Sequence, residues 1–214
     1  IPFLRKIASN EKPVLASTGA SNLNVLVTSV FELKSHGVKD ICLMHCILNY
    51  PTDNKNANLN MIMGLKEIYP HMVIGYSDHT LPDPKMLVLT AAYLKGAVII
   101  EKHFTYDKSL PGNDHYHSMN KEDLRKFREK LNCLFEVLGE DKKHSLPSEE
   151  LARLNARRSL VAKRRLKAGQ QVSLEDITWK RPGTGISPRE IDKVLKCQVN
   201  KDLAEDTILQ WSDL

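Results

Sequence analysis

The chain has 214 residues, of which 42% are apolar and 27% charged, so it can bury a sizeable core in one large domain or two small ones and is not disordered throughout. Part of its net charge of +5 comes from a basic run between Arg153 and Lys167. That run carries no interleaved aromatics and no nucleic-acid motif, so a solvated face or an anionic substrate is preferred to nucleic acid as its partner. The four cysteines (Cys42, Cys46, Cys133 and Cys197) form neither a disulfide framework nor a zinc ribbon, and no apolar run reaches bilayer length. The expectation is a cytoplasmic protein with no membrane partner.

In chain order, the opening residues "IPFLRKIASNEKPV" lack an initiator Met and read like the middle of a helix leading into a strand. The start of the protein is expected upstream of Ile1. Four apolar runs follow, at Pro13–Ala16, Ile41–Met44, Met72–Ile74 and Ala97–Ile100. Such runs suit strands buried on both faces of a parallel sheet. Between them the spacing predicts helices from Ser21, as cap, toward His36, from about Asn58 to Ile68, and from Pro82–Pro84 to Gly96. Strand starts at 14, 41, 72 and 97 are 27, 31 and 25 residues apart, a repeating βα unit. A long helix is predicted from Asn120 to Leu138, stopped by Gly139, followed by a charged connector. Beyond Arg158 the texture changes to short strands with Gly and Pro turns. There "LKAGQQVSLEDI" (166–177) and "LAEDTILQWSDL" (203–214) share a pattern, which predicts an internal duplication in a small, mostly β domain. The division expected is a barrel portion over 1–139, a linker over 140–156 and a β domain over 157–214.

The polar residues gather where the predicted strands end. Ser17 and Thr18 follow the first, His45 and Tyr50 the second, Ser77, Asp78 and His79 the third, and Glu101 and His103 the fourth. In parallel α/β folds that rim is where substrates bind. His79 and His103, each past a strand end and each beside a carboxylate (Asp78 and Glu101), read as half of a divalent-metal site. The bland alternative is that each imidazole only bonds a neighbouring strand end. Ser17-Thr18-Gly19 and Ser77 offer donors to an anion, or simply a helix cap. The loop "PGNDHYHS" (111–118) places Asp114 where it can reach a sugar hydroxyl, or is an ordinary turn. His45, Cys46 and Tyr50 are pocket wall or ligand contacts, while His36, His71 and His144 look like surface residues.

In this order, "KPVLASTG", "MHCILNYPT", "GYSDHT", "EKHFT" and "PGNDHYHS" closely resemble the N-acetylneuraminate (sialic acid) synthase family. "WKRPGTGIS" lies in a stretch similar to that family's antifreeze-like, or SAF, domain. The resemblance implies an α/β fold: the second half of a (β/α)8 TIM-type barrel followed by an SAF domain of β-clip type. It also implies a C–C bond-forming transferase that condenses phosphoenolpyruvate with N-acetylmannosamine or a related N-acyl hexosamine. The product would be N-acetylneuraminate or a relative such as legionaminate, plus phosphate. His79 and His103 would hold a divalent metal, manganese first and magnesium or cobalt next, that polarises the sugar aldehyde. Carbon 3 of phosphoenolpyruvate would attack that aldehyde, water would add at carbon 2, and phosphate would leave by C–O cleavage. Ser17 and Ser77 would hold phosphoenolpyruvate, and Tyr50, Glu101 and Asp114 would face the sugar. Arg181 would reach the N-acyl group across a domain-swapped homodimer. One departure is Leu48, which stands where some members place an Asn that touches phosphoenolpyruvate. Two other readings stay open: a non-catalytic sugar-binding or dimerisation module, and a metal-dependent barrel lyase or hydrolase that does not use phosphoenolpyruvate.

Overall fold

Four of the apolar runs become the strands of one parallel sheet: β1 (Val14–Ser17), β2 (Ile41–Cys46), β3 (Val73–Asp78) and β4 (Ile99–Lys102), in the order β1-β2-β3-β4. The computed structural model describes residues 1–214 and divides them into two units, Ile1–Gly139 and Glu140–Leu214. In the first unit each strand is followed by a helix, and the first three of these return the chain to the start of the next strand. These helices are α2 (Leu23–Ser35), α3 (Asn60–Ile68), α4 (Leu87–Leu94) and α5 (Lys121–Leu138), with α1 (Pro2–Ala8) ahead of β1. The result is half of a βα barrel.

Period-two alternation along the strands divides the sheet into two faces. One face packs under the helices and forms the core, through Ile41, Leu43, Ile74 and Tyr76 with Ile62, Leu89 and Phe127. Buried apolar area of this kind contributes about 25 cal/mol per Å² and is the main force holding the unit together. The other, inner face carries the register rows Ser17–Met44–Gly75–Ile99 and Cys46–Ser77–Glu101. Gly75 has a packing reason to be glycine: a Cβ there would lie 2.2 Å from Met44 Sδ and 2.8 Å from the Ile99 carbonyl oxygen.

Local signals explain most helix ends, with three differences from the sequence reading. Helix α2 is capped by Asn22, whose side chain accepts from Val25 N–H, rather than by Ser21. Gly37, at φ +94°, ends that helix in the left-handed region. α4 begins at Leu87 and not at the prolines, because the Asp83 carboxylate accepts from the N–H groups of Lys85 and Leu87 and holds Pro82–Met86 as a turn. β4 runs to Lys102, so Glu101 lies within it rather than after it. The long helix α5 does start at an Asn120–Asp123 capping box and stop at Gly139.

The second unit contains α6 (Glu150–Ala156), the antiparallel pair β5 (Ser159–Ala162) and β6 (Ile177–Lys180), and α7 (Ile191–Val194). Its internal duplication is real and extends further than the sequence pattern. Leu166 and Leu203 exchange both backbone hydrogen bonds. Val172 N–H donates to Cys197 C=O and Leu209 N–H to Leu160 C=O. Gly169 N–H donates to Val199 C=O and Asp206 N–H to Ala162 C=O. Equivalent residues are 37 apart, and the pairing is reciprocal, as an approximate two-fold axis requires. Gly169 and Asp206 take the same left-handed backbone. Buried Asp176 and Asp213 each cap a 3-10 turn, bonding Ser173 and Gln210 N–H, and each pairs with a cation at 2.6 Å, Arg164 and Lys201 respectively. No helix in the chain is long and apolar enough to cross a membrane.

Candidate functional site

The last inner-face positions of β3 and β4, with the residues just beyond them, build the site. Ser77 and Glu101 are register partners, and His79 and His103 stand two residues further on. The two imidazole rings lie edge to face with centres 5.2 Å apart. His79 Nδ1 is 2.9 Å from the Ile47 carbonyl, which fixes that nitrogen as the N–H and leaves Nε2 as a free lone pair. A carbonyl partner of this kind orients a metal-ligating histidine. Tyr50, from the loop after β2, places its ring 4.3 Å from His79 and 5.7 Å from His103. Partial burial, with the carboxylates of Asp114 and Glu101 nearby, pushes the Tyr50 phenol above its ordinary pKa. Asp114 reaches in from the loop after β4, its Oδ2 3.9 Å from His103 Nδ1.

Asp78 and Lys102, interleaved with these residues, point to the opposite face. Asp78 accepts from Tyr76 O–H at 2.9 Å, from Thr80 N–H at 2.9 Å and from Thr80 Oγ1 at 3.1 Å, and pairs with Lys102 Nζ at 2.8 Å. Lys102 also donates to the Thr80 carbonyl. Burial pushes the Lys102 ammonium down, an effect that Asp78 opposes. The reading of Asp78 as a carboxylate supporting His79 in metal binding is therefore corrected: it anchors the strand ends. His45 is likewise structural. It faces the helices, stacks on Tyr76 with centres 5.7 Å apart and bonds the Ala57 carbonyl at 2.8 Å, and burial lowers its pKa.

Around Ser17 the anion-binding reading narrows. Thr18 uses both its N–H and its hydroxyl on the Met44 carbonyl, each at 3.0 Å, and so has no donor left for a ligand. Ser17 is exposed on the inner face. The Ser17-Thr18-Gly19 turn is lined on one side by Cys46 and Leu48, since a Cβ on Gly19 would lie 3.0 Å from Cys46 Sγ and 3.4 Å from Leu48 Cβ. Arg181 belongs to the second unit, where its exposed guanidinium donates from Nε to the Ala156 carbonyl at 3.1 Å. A cavity of about 570 Å³ opens at the other end of the strands, lined by Leu15, Cys42, Val73 and Ile99, away from all of these groups.

His117 is absent from the sequence reading. It is completely buried, its ring centre is 5.1 Å from that of His103, and its Nε2 lies 3.5 Å from Asp114 Oδ1. Burial, with His103 beside it, lowers its pKa. The available signal was the crowding of three ligand-type residues, Asp114, His115 and His117, into four positions. His115 itself bonds Thr105 Oγ1 at 2.8 Å.

A parallel half-barrel with paired histidines at its rim leaves several enzyme families open, and comparison with known proteins decides among them. The sequence profile of the NeuB family matches residues 1–143. The chain belongs to the NeuB family. Residues 157–214 match the SAF domain. An N,N'-diacetyllegionaminic acid synthase of Legionella pneumophila is 37% identical, across all of this chain and 60% of its own length. An uncharacterised protein of Methanocaldococcus jannaschii is 40% identical across all of this chain and 62% of its own. The crystal structure of a protein described as a spore coat polysaccharide biosynthesis protein E, from Chromobacterium violaceum, superposes with a TM-score of 0.83 at 26% identity, covering 99% of this chain and 63% of that one. The chain thus spans about three fifths of the length of these relatives.

Proposed function

We propose that this chain carries part of the active site of a sialic-acid-type synthase, which condenses phosphoenolpyruvate with N-acetylmannosamine or a related N-acyl sugar. The observation that carries the reading is the pair His79 and His103, with ring centres 5.2 Å apart, above the Ser77–Glu101 row. Two imidazoles sharing one ion with bonds of about 2.0–2.1 Å have ring centres roughly 5 Å apart, so the residues fit a divalent cation. When bound, such an ion supplies Lewis-acid polarisation of the aldehyde of the open-chain sugar.

The chain's own groups do the rest. Ser17 and Ser77 bind the phosphoenolpyruvate anion on the inner face. Glu101 and Asp114, at its rim, accept from sugar hydroxyls, and Tyr50 donates to the substrate from above the two imidazoles. Carbon 3 of phosphoenolpyruvate forms the new bond to the aldehyde carbon, water adds at carbon 2, and phosphate departs with the C–O bond. Arg181 contacts the N-acyl group, supplied from the partner subunit of a swapped homodimer. The similarity to an N,N'-diacetyllegionaminic acid synthase supports this substrate class. A phosphate-release assay on the full-length protein, with phosphoenolpyruvate and a panel of N-acyl hexosamines, with and without manganese, tests it. Metal-dependent release with at least one sugar is expected; none with any sugar overturns it.

A further inference from the structure

His117 presents a problem that the reading above leaves unsolved. Its side chain is 0% exposed, and neither ring nitrogen makes a hydrogen bond. Buried polar groups are overwhelmingly paired, and an imidazole left unpaired in the interior is destabilising unless something else satisfies it. Its surroundings point to what does. The donor atoms of His103, Asp114 and His117 lie within 4.8 Å of one another, a group built from the end of β4 and the loop that follows it. Donors of one ion at bond lengths of about 2.0–2.2 Å are separated by roughly 3–4.4 Å, close to this span. His79 stands on the other flank of His103, outside the trio, with its Nε2 unused.

We propose that His117 is a third imidazole ligand for the ion that His79 and His103 would hold, with Asp114 beside it. The inference rests on the metal-dependent reading above. It has a consequence for the cation. Two imidazoles with waters tolerate a hard ion, but three imidazoles and one carboxylate favour a first-row transition ion over magnesium. Buried, and with neither ring nitrogen in a hydrogen bond, the ring can offer a lone pair.

The test is cobalt(II) binding to the metal-free full-length protein, followed by d–d absorption and by calorimetry, for wild type and for His117→Ala, His117→Asn, His79→Ala and His103→Ala. His117→Ala is expected to weaken cobalt binding by about tenfold or more and to change the absorption spectrum. It should also shrink the rise in Tm on adding cobalt, while the Tm of the metal-free protein stays near wild type. His117→Asn, which keeps polarity and most of the volume, serves if the alanine variant does not fold. Magnesium in millimolar excess should not displace cobalt from wild type. If both His117 variants keep wild-type affinity and spectrum while the His79 and His103 variants lose binding, the third-ligand role is wrong and the proposed function stands. If all four variants bind as wild type does, the metal site of the proposed function fails with it.

Discussion

Lys102 Nζ lies 2.8 Å from Asp78 Oδ2, and this pair sits on the helix-covered face of the same two strands that carry His79 and His103 on the inner one. The side chains are 6% and 1% exposed. Removing one member of such a pair leaves an uncompensated buried charge, at a cost of about 3–5 kcal/mol. Asp78→Asn and Lys102→Met are each expected to lower stability by that order in urea unfolding, with the double variant losing less than the sum. Additive losses would show that the pair does not anchor the strand ends.

Gly75→Ala addresses the packing of the inner face. The new methyl would meet Met44 Sδ, which can move, and the Ile99 carbonyl oxygen, which belongs to the β4 backbone and cannot move without disturbing the sheet. A loss of about 1–3 kcal/mol is expected, as for overpacking elsewhere. Met44→Ala should relieve only part of it. Full rescue by that second change would mean that the strand backbone yields freely.

The second unit should be acid-sensitive. Burial pushes the Asp176 carboxyl up, but bonds from Ser173 and Arg164 outweigh it and leave the pKa below the ordinary 3.8. Asp213 behaves the same way, with Lys201 and the Gln210 N–H outweighing burial. A carboxyl whose pKa is lower folded than unfolded contributes stability that is complete above 3.8 and is lost as pH falls through the folded value. Both tryptophans of the chain, Trp179 and Trp211, lie in this unit, so their fluorescence reports its unfolding alone. The wild-type midpoint is expected to drop as pH is lowered below about 4. Asp176→Asn should lose about 1–3 kcal/mol at neutral pH and show a flatter acid profile.

For the proposed chemistry, His79→Ala and His103→Ala in the full-length protein are each expected to reduce metal-dependent phosphate release by more than about a hundredfold. Wild-type turnover and metal affinity in either variant would remove that residue from the site.

Arg181→Ala should raise the KM for the N-acyl sugar well beyond its effect on phosphoenolpyruvate. Equal effects on both would exclude a sugar contact.

Much of this was legible in the chain, and the reasons are local. Strand spacing of 25 to 31 residues, caps such as Asn120 and stops such as Gly139 are written in neighbouring residues, and they yield a parallel βα arrangement with polar groups at the strand ends. The repeat near the end of the chain was visible for the same reason, because both copies use one pattern of turn, apolar strand and capping Asp. Alternation then says that Ser77 and His79 share a face and that Asp78 does not. It cannot say which face the helices will cover, because that depends on where α3, α4 and α5 pack. Only the folded chain decided that Asp78 and His45 are structural, that Thr18 spends its donors on Met44, and that a histidine in a loop 14 residues beyond His103 turns inward beside it. Loops carry no fixed side-chain period, so where His117 points is set by packing at a distance rather than by its neighbours in the sequence.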